Sequence, residues 1–105
     1  MRMMKLEKKD ARDPAVRQEA WIGDTILDLY ARSYILRERG EMDGKMLARM
    51  TSNQFLTSLG NPTVVEAEIG KIYQKDGLEA GFAWIEEHLL PLFLKQERNR
   101  DVGRR

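Results

Sequence analysis

Through most of the chain apolar positions recur at steps of three and four residues, the period of an amphipathic helix. Between Trp21 and Leu36 the stripe is Ile22, Ile26, Leu29 and Leu36, widened by Leu27, Tyr30 and Tyr34. Asp13-Pro14 predicts the start of this helix, with Asp as the cap and Pro at the first helical position, where a missing N–H costs nothing. Arg39-Gly40 predicts its end, because Gly adopts the left-handed conformation that closes a helix. After Asp43-Gly44, the positions Met46, Leu47, Met50, Phe55, Leu56 and Leu59 predict one helix, or two short ones divided near Thr51-Ser52-Asn53. Gly60-Asn61-Pro62 stops that pattern. The next helix carries Val65, Ile69, Ile72 and Tyr73 on one face and ends at Lys75-Asp76-Gly77. The last runs from Leu78 to about Lys95 through Phe82, Trp84, Ile85, Leu89, Leu90, Leu92 and Phe93, and Pro91 predicts a kink or break in it. No segment alternates with the period of a strand, so the expected fold class is all-α. Residues 1–12 show no sustained period and read as a flexible N-terminal arm, 13–95 as the folded domain and 96–105 as a basic C-terminal tail. The Met residues and the aromatics Trp21, Phe55, Phe82 and Trp84 fall at helical spacing and read as core or dimer interface.

Composition narrows this picture. A chain of 105 residues with 42% hydrophobic and 33% charged positions has the size and make-up of one globular domain. It has no cysteine, which excludes disulfides, thiolate metal sites and cysteine nucleophiles. No run approaches the roughly 18 apolar residues of a membrane span, and the basic N-terminus lacks the apolar core of a signal peptide, so the expected setting is cytoplasmic, with no membrane partner. Net charge is only +1, and no global field advertises nucleic acid. Locally, Arg37, Arg39, Lys45 and Arg49 cluster in one stretch, which reads first as a solvated face and second as a surface for phosphates.

Two acidic segments stand out. Trp21-Ile22-Gly23-Asp24-Thr25-Ile26-Leu27-Asp28 sets a Gly-Asp pair inside an apolar run, where Gly weakens a helix by about 1 kcal/mol relative to Ala. Gly23 would let a neighbouring helix or ligand approach closely. Asp24 and Asp28, one turn apart, can share a cation or a basic partner. Spacing alone favours a plainer reading, a surface stripe of Ala20, Asp24 and Ala31. The second segment, Thr63-Val64-Val65-Glu66, fits a capping box in which Thr63 and Glu66 bond each other's backbone N–H. Asn61-Pro62 offers a competing cap that would leave Glu66 free to point elsewhere. His88, the only histidine, reads as a surface or half-buried residue without ligand or triad partners.

Taken together, the segments resemble a known family. Gly23-Asp24-Thr25-Ile26-Leu27 is similar to the Gly-Asp-Ala-Val-Leu core of the ribonuclease III domain, and Glu66-Ala67-Glu68-Ile69-Gly70-Lys71-Ile72-Tyr73 to that family's Glu-Ala-x-Ile-Gly-x-x-Tyr motif. Between them Ser52-Asn53-Gln54-Phe55-Leu56 resembles the Ser-Asn-x-x-Leu segment. Asp76-Gly77-Leu78-Glu79-Ala80 with Trp84-Ile85 resembles the stretch that follows. The likeness covers roughly Arg17 to Leu92.

The resemblance implies an all-helical, homodimeric endoribonuclease for double-stranded or structured RNA that uses Mg²⁺, with Mn²⁺ as a substitute. Asp24 matches the family's metal-site aspartate and Glu66 its glutamate. Hard Mg²⁺ prefers oxygen ligands and keeps several waters, so few carboxylates suffice to hold it. Family members usually carry Glu four residues before the aspartate and Asp three residues before the glutamate. Here Ala20 and Thr63 hold those places, with Glu19 displaced by one, a pattern closest to the compact Mini-III class. On this basis Asp24 and Glu66 are the expected catalytic residues, Glu19 a third metal ligand, and Asp28 and Thr63 assisting groups. Arg37, Arg39, Lys45, Arg49 and Lys71 are the expected RNA contacts. A catalytically inactive relative that binds RNA or assembles ribonucleoprotein is the competing expectation.

Overall fold

The structure, a computed structural model, describes residues 9–103. Within them the chain is all-helical and no strand occurs: α1 is Pro14–Arg39, α2 Gly44–Thr51, α3 Asn53–Leu56, α4 Pro62–Asp76, α5 Leu78–His88 and α6 Leu90–Gly103. The expected arm falls largely outside the described residues. From residue 9 onward it leads into a turn in which the Asp13 N–H reaches the Asp10 carbonyl at 3.0 Å.

Local chemistry sets the helix ends. Asp13 accepts from the Ala15 N–H at 2.9 Å, and Gly40, at φ 73°, closes α1 by donating its N–H to the Leu36 carbonyl at 3.0 Å. Asp43 caps α2 through the Met46 N–H, and Ser52 caps α3 through the Phe55 N–H. That second cap divides the 44–59 pattern into two helices. Gly77, at φ 95°, separates α4 from α5. The last helical pattern breaks at Leu89, and Pro91 sits in the first turn of α6, where no N–H is needed. Beyond the break, α6 runs past Lys95 to Gly103, so positions 96–103 continue a helix.

One principal core joins all six helices. Leu27, Leu56, Val65, Ile69, Ile85, Leu89 and Phe93 are almost wholly buried, and the Phe55 and Phe93 rings meet edge to face at 5.6 Å. The buried face of α1 is Ile26, Leu27, Tyr30, Ala31, Tyr34 and Ile35. Leu29 and Leu36, expected in the stripe, are 44% and 51% exposed, because they lie nearly half a turn from the middle of that face. Trp21 is a larger correction to the core: it is 79% exposed. Among the described residues no helix is long and apolar enough to cross a membrane.

Candidate functional site

The longest helix, α1, packs most extensively against α4. Small residues make this crossing. Val16 and Ala20 of α1 and Ala67 of α4 form a separate buried cluster. Beside it the two backbones touch: a Cβ on Gly23 would overlap the Glu66 carbonyl oxygen, and a Cβ on Gly70 would overlap the Glu19 carbonyl oxygen. The glycine that weakens α1 is therefore the residue that lets α4 come this close.

Asp24, next to Gly23, emerges at the rim of that crossing, where the Glu66 side chain leaves α4. Glu66 is free to meet it because Asn61, rather than Thr63, caps α4: the Asn61 Oδ1 accepts from the Thr63 N–H at 2.9 Å and the Val64 N–H at 3.3 Å. The capping-box reading of Glu66 is thereby displaced. The two carboxyls are within hydrogen-bonding reach. Burial, first, then the hydrogen bond to Asp24 and the charge of Asp24 push the Glu66 carboxyl up to about 8. The Glu66 carboxyl therefore keeps its proton near neutral pH.

Arg17, Trp21, Asp24, Asn53, Thr63 and Glu66 line a shallow open depression around this pair, with Ala20 in its floor. Among the described residues, no group of three or more acids or histidines is placed to hold a metal ion. The oxygen donors here are the two carboxyls, with the Asn53 amide and the Thr63 hydroxyl at the rim.

The other expected site residues are placed differently. Glu19 lines a neighbouring depression with Gln18, Ile22 and Gln74, because five residues before Asp24 is about 140° around the helix. The register position that faces the pair belongs to Ala20, and that position is occupied by packing on Ala67. Asp28 accepts from the Arg32 Nε at 2.7 Å, which engages it in an exposed pair along α1. His88 is half-buried, against the Trp84 ring and 2.9 Å from Glu87.

Most of the expected RNA contacts lie away from the acids. Arg37 is thirteen residues beyond Asp24, about 20 Å along the helix, and it packs over the Tyr34 ring beside Glu38. Arg39 is 3.7 Å from Asp43. Arg49 forms a two-pronged pair with Glu97 at 2.9 and 3.0 Å, tying α2 to α6. Lys45 and Lys71 are exposed.

Sequence reasoning overlooked Arg17, Trp21 and Asn53 as lining residues. A signal for the first two was present, since positions three and seven residues before Asp24 share its side of the helix. Asn53 lay within the Ser-Asn segment but carried no sign of which helix it would face. Compared with models of known families, with curated proteins and with solved structures, the chain matches none.

Proposed function

We propose that the chain is a ribonuclease III-like, metal-dependent endoribonuclease acting as a homodimer on structured or double-stranded RNA, with Asp24 and Glu66 as its metal-binding carboxyls. The observation that carries the reading is the meeting of these two acids, distant in sequence, across the Gly23–Gly70 crossing. They are the two that the ordered motifs single out.

The donor set fits a hard divalent cation. Two carboxyls forced together hold a proton that a cation can replace, and release of that proton from Glu66 is a condition of binding. When bound, Mg²⁺ or Mn²⁺ supplies a more acidic water and stabilises charge on the leaving oxygen of a phosphodiester. Asp24 is the more exposed of the pair and faces solvent from the rim, whereas Glu66 is partly buried on α4 and fixed by the crossing beneath it. Thr63 and Asn53 offer neutral oxygens at the edge. Homodimerisation is supported by α1, where exposed Trp21, Leu29 and Leu36 fall within about 80° of arc and present large apolar groups to a second copy.

The test is cleavage of a structured RNA in Mg²⁺. Asp24→Ala and Glu66→Gln are each expected to lower the rate by at least about 100-fold, the order seen when a charge-stabilising group is removed. Unchanged cleavage by Asp24→Ala would remove the assignment. A second reading, a catalytically inactive RNA-binding or ribonucleoprotein-assembly dimer, is favoured by the bare pair of acids and by the proton on Glu66. A calorimetric titration without any Asp24-dependent Mg²⁺ or Mn²⁺ site selects it over the enzyme.

A further inference from the structure

We infer that Arg17 is the phosphate-binding residue of this site, gripping the backbone of the RNA strand that lies across Asp24 and Glu66. The inference rests on the ribonuclease reading above. It moves the principal electrostatic contact away from the Arg37–Arg49 stretch, where sequence clustering had put it.

Three observations carry it. First, Arg17 lines the same depression as the two acids, two helical turns before Asp24 and on the same side of α1. Its Cα is about 10 Å from that of Asp24 along the axis, roughly three nucleotides at about 3.4 Å of rise per strand charge, so a strand seated on the acids passes within its reach. Second, Arg17 is without an acidic partner among the described residues. The other arginines between residues 12 and 49 each have one: Arg12 with Asp10, Arg32 with Asp28, Arg37 with Glu38, Arg39 with Asp43 and Arg49 with Glu97. A guanidinium already paired must give up that pair before it meets a phosphate, whereas Arg17 gives up only water. Third, Arg17 shares the depression with Asp24 and Glu66, yet among the described residues no ion pair joins it to either acid. Its charge is thus unspent, beside a place where a phosphodiester would bring negative charge.

Binding of a fluorescein-labelled RNA hairpin, measured at several salt concentrations in EDTA so that no cleavage occurs, tests the assignment. Arg17→Ala is expected to weaken binding several-fold and to reduce the slope of log affinity against log salt by about 1, as follows when one fewer phosphate is neutralised. Arg17→Lys keeps the charge and should retain the slope. Arg37→Ala with Arg39→Ala should leave the slope close to that of the parent. Should Arg17→Ala keep the parental slope while the Arg37/Arg39 double variant lowers it, the inference is overturned and the ribonuclease reading stands. If the parent protein itself does not bind the hairpin, both fall. Arg17 is exposed, so circular dichroism should find the variants folded; if Arg17→Ala is not, Arg17→Gln provides the same comparison.

Discussion

The two ends of this helical domain are held together by opposite means. At the α1/α4 crossing, Ala20, Gly23, Ala67 and Gly70 remove side chains from between the helices, and the backbones themselves touch. At the α2/α3/α6 end the helices are kept apart by bulk: Met46, Met50, Phe55 and Phe93 fill the space and Arg49 reaches across to Glu97. The difference bears on function. An interface filled by side chains buries its own surface and leaves little to do chemistry. Backbones in direct touch force the next side chains outward at a shared rim, and here those are the carboxyls of Asp24 and Glu66. Arg49 at the bulky end is matched to Glu97, whereas Arg17 at the close crossing has no acidic partner among the described residues.

The largest loss of stability is expected at the bulky end. Phe93→Ala removes a fully buried ring that packs edge-on against Phe55, and a destabilisation of about 3–5 kcal/mol is expected in urea unfolding. Next comes Gly23→Ala, for which about 3 kcal/mol is expected because the new methyl meets backbone that cannot rotate away. Gly44→Ala, where a Cβ meets nothing, should stay within about 0.5 kcal/mol and marks the effect as one of the crossing rather than of glycine in general.

A smaller effect sharpens the electrostatic side. In the unfolded chain Glu66 ionises near its ordinary 4.5, and in the folded protein only at about 8. Between those values the unfolded state has released a proton that the folded state keeps. The contribution to stability is therefore complete below about 4.5 and is lost as pH rises to about 8. Discounted for partial exposure, the fall is on the order of 1–2 kcal/mol. Glu66→Gln should flatten the decline in melting temperature over that range, and an unaltered pH profile would count against a protonated Glu66. Smallest of all, Arg49→Ala should cost about 1 kcal/mol or less, and its effect should shrink with added salt as expected for a partly exposed pair.

Much of this was legible in the sequence, for a physical reason. Helix starts and stops depend on residues a few places apart, so Asp13-Pro14, Gly40, Asp43, Asn61-Pro62 and Gly77 could be read as punctuation, and each acts as such. Gly23-Asp24 could be read as an anomaly that requires a close neighbour. The identity of that neighbour could not, because it depends on how two distant helices cross. Leu29, Leu36 and Trp21 illustrate the same limit: apolar character fixes a preference for burial, but the face that is buried depends on which side the partner helices choose.

The site divides along that line. By itself the sequence determined that an acid would stand beside a glycine in α1, and it offered two caps for α4 without choosing between them. Tertiary structure chose Asn61, freed Glu66, laid its carbonyl under Gly23 and thereby brought its carboxyl to Asp24. It also gave the position of Ala20 to packing, turned Glu19 to another face, engaged Asp28 with Arg32 and Arg49 with Glu97, and left Arg17 at the rim. Caps and periods are local and are written in neighbouring residues. Which charges meet is decided by how the helices pack on one another, and that packing exists only once the chain has closed on itself.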